Sequence, residues 1–220
     1  SRRADLNAWA MAGVLAVTNA NGWSENYVYD ALGRVTQHAD FGFGPATYEY
    51  DGNQNVTAVI DQLNRRTAFT YDTANRVTKI TYPDNSFEDF TYDFPDKLLT
   101  AKDQRGYVTG YQYDADGRLI KLTHPDSTFI SASYDAIGRL STITDERGKT
   151  TSYGYDPACG CKQRLTNITD ANGKVTQIKY DAAGRRTALI DANGNEAKYV
   201  VDARRRLRSL IYPDQTSLLF

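Results

Sequence analysis

The stretch RTAFTYDTANRVTKITYPDNSFEDFTYD, residues 66–93, contains a complete unit of the pattern from which the fold can be inferred. It begins with aromatic residues two apart, Phe69 and Tyr71, and a Tyr-Asp pair starts at the second of them. A spacing of two places both rings on one face of a β-strand. The unit then repeats, because the next Tyr-Asp pair begins at Tyr92, a step of 21 from Tyr71.

This Tyr-Asp pair recurs along most of the chain at a constant step. Its starting positions are 29, 50, 71, 92, 113, 134, 155 and 180, so the step is 21 six times and then 25. The extra four residues fall near 157–161, and Val201-Asp202 occupies the next position of the series. Such regular repetition indicates an array of like units. We therefore expect one continuous array over residues 1–220, of about ten repeats, with a degenerate first copy near Ala8-Trp9.

Each repeat carries turn residues at two places. The first turn follows Tyr-Asp and ends in Gly-Arg or Asn-Arg, as at Gly33-Arg34 and Asn75-Arg76. The second is Asp-Ala-Asn-Gly, as at 170–173, or Pro-Asp, as at 83–84. Gly and Asn tolerate positive φ, so both places predict tight reversals. The repeated Asp is interpreted as a turn residue that accepts backbone N–H bonds.

The segments between the turns predict strands. They are rich in Thr and Val, as in Val77 to Thr81, which favours strand over helix. Their apolar positions, such as Val77 and Ile80, are three apart, which breaks strict alternation. A β-bulge between these positions would restore a single apolar face. The prediction is an all-β fold of antiparallel hairpins, one per repeat, that forms a curved sheet with little conventional core.

The stacked repeats place aromatic rings side by side in ladders, which stabilise a sheet through cross-strand pairs. For the repeated Arg two positions stay open. It either lies across neighbouring rings or pairs with the Asp of the next repeat.

The string Tyr-Asp-x-x-Gly-Arg-Leu/Val, recurring at this step from about residue 12 onward, resembles the YD or Rhs (rearrangement hotspot) repeat. That family includes bacterial Rhs polymorphic toxins, C components of insecticidal toxin complexes, wall-associated bacterial proteins and teneurins. The resemblance implies a long sheet that spirals into a hollow β-shell, which in toxin members encloses a C-terminal effector. An aspartate-dependent self-cleaving core releases that effector, but its Asp-Pro-Leu-Gly-like motif is missing here, since Asp156-Pro157 leads into Ala158-Cys159. The chain therefore resembles a segment of the shell wall, and we expect it to be a fragment of a larger protein.

Composition excludes several other classes. The 26 Lys and Arg residues balance 27 Asp and Glu residues, whereas a nucleic-acid partner calls for a basic excess. The longest apolar run, Ala8 to Val17, is half the roughly 20 residues that a membrane helix needs. Two Cys in 220 residues exclude a scaffold built from disulfides. We expect neither a nucleic-acid partner nor a membrane span.

Candidate sites for chemistry are few, and we assign no catalytic, cofactor-binding or metal-binding residue. His38 and His124 stand in repeat positions that carry other residues elsewhere, so both are interpreted as structural. Cys159 and Cys161 are interpreted as part of a loop insertion without metal; a shared soft metal, a strained disulfide or a crosslink to another chain remain alternatives. A faint resemblance to a calcium-binding loop involves Asp191, Asn193 and Asn195. The Gly in this stretch stands at the wrong position for such a loop, so the stretch predicts a hairpin turn. The basic run of Arg204, Arg205, Arg206 and Arg208 is interpreted as a solvated edge.

Three functions fit these observations to different degrees. The first is a structural shell segment of a secreted or surface bacterial protein, which encloses or carries a C-terminal toxin or effector. The second is an adhesion or carbohydrate-binding module, because exposed aromatic ladders stack on sugars. The third, an enzyme, requires an assembled site that the repeat does not show, so we expect no enzymatic activity. Expected partners are the remaining repeats and the cargo of the same polypeptide, with edge-to-edge self-association of the isolated fragment.

Overall fold

A computed structural model describes residues 14–18, 24–40, 44–156, 164–202, 204 and 206–220. Every regular element in this part of the chain is a β-strand, and no helix long and apolar enough to cross a membrane is found there. The predicted all-β fold of repeated antiparallel hairpins is confirmed. The chain divides into two compact units, residues 1–109 and 110–220.

In the first unit each strand pairs in antiparallel orientation with the next one along the chain. Its strands are β1 (Val14–Thr18), β2 (Ser24–Tyr29), β3 (Val35–Ala39), β4 (Ala46–Tyr50), β5 (Val56–Ile60), β6 (Arg66–Tyr71), β7 (Val77–Thr81), β8 (Phe87–Tyr92) and β9 (Leu98–Lys102). The strand β10 (Val108–Tyr113) begins in the first unit and ends in the second.

The second unit repeats the same antiparallel pairing of consecutive strands. Its remaining strands are β11 (Leu119–Thr123), β12 (Phe129–Tyr134), β13 (Leu140–Thr144), β14 (Thr150–Tyr155), β15 (Leu165–Thr169), β16 (Val175–Tyr180), β17 (Arg186–Ile190), β18 (Glu196–Val201), β19 (Leu207–Ile211) and β20 (Ser217–Leu219).

The β-bulge lies where the three-residue apolar spacing predicted it. Phe69 pairs with Ile80 and Thr70 with Lys79, but Tyr71 pairs with Val77, so Thr78 has no partner in the register. The extra residue turns Val77 and Ile80 to the side that carries both aromatic rings. The same shift occurs before the Tyr of each other Tyr-Asp pair and before Val201.

Few side chains of the described residues are deeply buried. Apart from Ser209, the buried residues are Ala58, Ile178 and Ala188, and no large side chain is fully buried. The expectation of a sheet with little conventional core is confirmed. Contacts between neighbouring hairpins must therefore supply most of the stabilisation.

Candidate functional site: the Asp–Arg–Tyr links between hairpins

The Asp of each Tyr-Asp pair closes the turn that follows it. Asp30 Oδ1 accepts the backbone N–H groups of Leu32 and Arg34, both at 2.9 Å. The backbone N–H of Gly33 donates to the Asp30 carbonyl at 3.0 Å, and Gly33 has a φ of +76°. This is a three-residue loop in which a type I turn ends in a left-handed residue. The interpretation of the repeated Asp as a turn residue is confirmed.

The repeated Arg pairs with the Asp of its own turn. Nε of Arg34 donates to Asp30 Oδ2 at 2.7 Å, and Nη2 lies 2.7 Å from the same oxygen. The alternative in which Arg pairs with the carboxylate of the next repeat is therefore wrong at this position. Towards the next repeat, Nη1 of Arg34 donates instead to the backbone carbonyl of Asp51, at 3.3 Å.

The same guanidinium covers the tyrosine ring of the following repeat, as the other alternative predicted. Cζ of Arg34 lies 4.5 Å from the centroid of the Tyr50 ring. The Tyr50 hydroxyl donates to the carbonyl of Val35, the residue after Arg34, at 2.6 Å. An Arg guanidinium covers a Tyr ring in the same way, with Cζ 4.4–5.3 Å from the ring centroid, in the pairs Arg76–Tyr92, Arg118–Tyr134, Arg139–Tyr155 and Arg164–Tyr180.

The tyrosine hydroxyl bond has a constant span in both units. Each hydroxyl donates to the carbonyl 15 residues earlier in the chain, at 2.7–3.0 Å in the pairs Tyr71–Val56, Tyr92–Val77, Tyr134–Leu119, Tyr155–Leu140 and Tyr180–Leu165. Each Asp–Arg–Tyr link therefore closes one turn through the Asp–Arg pair and connects that turn to the next hairpin through the Tyr.

These contacts shift the pKa values of the groups they join. The backbone N–H bond from Arg34, followed by the Arg34 side chain, holds the pKa of Asp30 below its ordinary value. The same donors in Arg76 lower the pKa of Asp72. Burial raises the pKa of Tyr50. The carboxylates are thus stabilised as anions and the tyrosine as the neutral donor that the link requires.

One repeat keeps the link without a cation. Asn55 takes the Arg position, and its Nδ2 donates to Asp51 Oδ2 at 2.9 Å and to Asn75 Oδ1 at 2.8 Å. The hydroxyl of Tyr71 still donates to the Val56 carbonyl. Amide hydrogen bonds here replace the ion pair.

Comparison with protein families gives a match over residues 9–213 to the Teneurin YD-shell family. The chain belongs to the teneurin YD-shell family. The resemblance to YD repeats, drawn from the spacing of the Tyr-Asp pairs, is confirmed. The family supports a structural, repetitive role for this YD-shell chain.

This YD-shell chain is also similar to several solved structures. They include TcdB2-TccC3-TEV, with 15% identity and a TM-score of 0.47 over 90% of this chain and 15% of that one. TcdB2-TccC3 has 14% identity and a TM-score of 0.47, over 90% of this chain and 15% of that one. The Photorhabdus luminescens Tc holotoxin pore has 14% identity and a TM-score of 0.40, over 90% and 14%. The YD-shell chain thus spans 14–15% of the length of these solved chains. A comparison with curated proteins gives no match.

His38 lies in a cluster that the sequence did not reveal. Its ring stacks on Tyr27 with centroids 4.5 Å apart, and its Nε2 lies 2.8 Å from Glu25 Oε1. The Tyr27 hydroxyl donates to the same oxygen at 2.5 Å, which raises the pKa of Tyr27 to about 12. The bonds from Tyr27 and then His38 lower the pKa of Glu25. The feature of the sequence that could have revealed this cluster is the β-bulge, because only the shifted register places His38 opposite Tyr27.

The other candidate residues of the YD-shell chain have contacts of their own within the second unit. His124 Nε2 lies 3.2 Å from Glu146 Oε1. The Asp191 carboxylate accepts both backbone N–H groups of Asn193 and Asn195 at 2.8 Å, as in the other hairpin turns. Within the described ranges, no group of three or more His, Cys, Asp or Glu side chains is placed to hold a metal ion.

Two further expectations concern residues at or beyond the described ranges. Cys159 and Cys161 lie outside the described residues, as does Arg205. Arg206 pairs with Asp202 at 2.8 Å and, with Arg208, lines a groove beside Phe220. Part of the basic run therefore belongs to a turn of the ordinary Asp–Arg type.

Proposed function

We propose that this chain is a wall segment of a β-shell in a secreted or surface bacterial protein, and that the shell encloses or carries a C-terminal toxin or effector. The observation that carries the proposal is the shared guanidinium, of which Arg34 is the example. It is bound to Asp30 of its own turn and covers Tyr50 of the next hairpin. Membership of the teneurin YD-shell family supports the same role.

The proposed mechanism is exclusion. Within each unit, consecutive strands pair through their backbones, so the backbone polar groups of the wall are hydrogen-bonded within the sheet and the paired hairpins hinder the entry of a protease. The Asp–Arg–Tyr links hold the turns, where such a wall would otherwise open first. Enzymatic activity has no part in this function.

Electron cryomicroscopy of the longer protein tests the proposal. The expected result is a closed wall with additional density inside it, together with slow proteolysis of the C-terminal region. As a matched comparison, a variant with the Tyr50 and Tyr71 rings replaced by Ala should expose that region to protease. An open, flat array, or a C-terminal region cleaved equally fast in both proteins, would contradict the shell.

Carbohydrate binding is the alternative function, and the structure supports it less well. Sugar rings stack on free aromatic faces, but Arg34 covers a face of Tyr50 and Arg76 covers a face of Tyr92. Screening the folded chain on a glycan array decides between the two. Saturable binding of a neutral glycan would favour the adhesion module.

Self-association through open strand edges is a further proposed property of the isolated chain. Among the described residues β20 pairs only with β19 and β1 only with β2. Unpaired edges recruit other strands. Analytical sedimentation should show concentration-dependent dimers or longer stacks, and a monomer over a wide concentration range would refute this property.

A further inference from the structure

In each unit, lysine ammonium groups contact a phenylalanine ring. In the first unit, Nζ of Lys79 lies 3.9 Å from the centroid of Phe87, and Nζ of Lys102 lies 5.0 Å from the same centroid. We call these three residues the Phe87 site. In the second unit, Nζ of Lys121 lies 4.1 Å from the centroid of Phe129. Lys79 and Lys121 are each diagonal to their Phe across a strand pair, so the two places share this one contact.

The Phe87 site lies on the face opposite the Tyr-Asp rings. Phe90 and Tyr92 follow Phe87 along β8 by three and five residues, so they point to the other side of the sheet. Phe87 is partly exposed, and Phe129 in its own unit is 42% exposed. Each place is therefore a partly exposed apolar ring with at least one ammonium group beside it.

None of these lysines forms a salt bridge within 4.0 Å to a carboxylate of the described residues. Asp89 is the register partner of both Lys79 and Lys102, yet none of the three takes part in an ion pair within 4.0 Å among the described side chains. Lys121 likewise has no such pair in the described part of the chain, and its register partner on β12 is Ser131. The turn arginines differ, because Arg34 and its equivalents are bound to their own Asp. An ammonium group that rests on a ring keeps donors free for an anion.

We propose that the Phe87 site binds an acidic polypeptide segment, whose carboxylates contact Lys79 and Lys102 while its apolar side chains pack against Phe87. Lys121 and Phe129 form a second place of the same kind. The inference rests on the proposed function, and it names the chemistry of the polypeptide that the wall would face. A peptide fits better than an acidic polysaccharide, because stacking of a sugar needs a free ring face, which the ammonium groups occupy, whereas an apolar side chain needs only the part of the Phe87 ring that stays exposed.

Peptide titration of the whole chain tests the inference. The probe is a flexible peptide in which Glu and Leu alternate with Gly and Ser, and its control replaces each Glu with Gln. The acidic peptide should bind and the neutral one should not, with binding weakened by salt. Lys79→Gln with Lys102→Gln should weaken binding by roughly 2- to 5-fold for each lysine removed.

Two further variants separate this site from general attraction. Lys149→Gln with Lys174→Gln changes the charge equally at exposed turns and should alter the affinity by less than about 2-fold. Asp89→Asn removes the competing carboxylate and should strengthen binding. Circular dichroism establishes that each variant is folded.

The inference is overturned if the two double variants weaken binding equally, if the neutral peptide binds as well as the acidic one, or if neither peptide binds. Preferential binding of an oligomer of hexuronic acid would also overturn it. None of these results bears on whether the longer protein forms a closed wall, which the density map decides separately.

Discussion

Removing a single hydroxyl from Tyr50 tests how the hairpins are held together. In the native chain this hydroxyl donates to the Val35 carbonyl at 2.6 Å, and the ring lies under the Arg34 guanidinium. Tyr50→Phe keeps the ring and its contact with Arg34 but leaves the Val35 carbonyl without this donor. Any loss of stability therefore reports the hydroxyl bond alone.

The expected loss is about 0.5–1.5 kcal/mol in the free energy of unfolding, the range for a partly buried neutral hydrogen bond. For a chain of 220 residues, about 1 kcal/mol corresponds to a fall in Tm of roughly 2–4 °C. Tyr50→Leu removes the ring as well and should cost about 0.5–1 kcal/mol more, the usual range for a guanidinium over an aromatic ring.

Urea denaturation followed by circular dichroism measures both changes, and an unchanged m-value shows that they reflect stability. The matched control is Tyr48→Phe in the same strand, because the Tyr48 hydroxyl forms no hydrogen bond with the described residues. That control should change the free energy of unfolding by less than about 0.5 kcal/mol. Equal losses at the two positions would refute the assignment of a stabilising role to the Tyr50 hydroxyl.

Four further changes probe the turns and the titrating groups. Asn55→Arg should raise the free energy of unfolding, measured by urea denaturation, by about 0.5–1 kcal/mol, since a guanidinium would then cover Tyr71. An unchanged free energy of unfolding would contradict a stabilising contribution of this size from the guanidinium on the ring. Gly33→Ala should cost about 1–2 kcal/mol because Gly33 has a φ of +76°, whereas Gly33→Asn should cost clearly less. Because the pKa of Asp30 is lowered in the folded chain, its contribution to stability is complete above its ordinary pKa of 3.8 and is lost as the pH falls through its pKa in the folded chain. Urea denaturation at several acidic pH values should show a weaker dependence of the unfolding free energy on pH for Asp30→Asn than for the native chain. Tyr27, with its pKa raised to about 12, should stabilise the folded chain below pH 10 and lose this effect as the pH rises through 12. In an ultraviolet titration, the absorbance change from ionisation of Tyr27 near pH 12 should be missing in Tyr27→Phe.

Much of the fold could be predicted from the sequence because its local signals agree. The Gly or Asn at the end of each turn marks a positive φ, which the structure shows at Gly33 and Asn75. The three-residue spacing of Val77 and Ile80 marks the bulge, because one face can be restored only by an extra residue. Each of these features depends on residues within a single hairpin.

The partners of side chains are harder to predict, because they depend on geometry between strands. From the sequence, Arg34 could pair with Asp30 of its own turn or with Asp51 of the next repeat. The tight loop places the Asp30 carboxylate against the guanidinium, so the ion pair forms with Asp30. The contact of Lys79 with Phe87 joins residues eight apart that meet only diagonally across β7 and β8. Periodicity shows which residues share a face, but it does not show which neighbour a long side chain will reach.

Redundant links explain how this repeat tolerates loss of its own signature. Where the signature is complete, as at Arg34 and Tyr50, a hairpin is joined to the next by a backbone ladder, by a tyrosine hydroxyl and by a guanidinium over a ring. Where Asn55 replaces Arg, the hydroxyl of Tyr71 keeps its bond to the Val56 carbonyl. Where Val201 replaces Tyr, the shifted pairing with Leu207 remains. Since each loss leaves at least one other link, single repeats can diverge without breaking the sheet, provided that the losses do not fall on the same pair of hairpins.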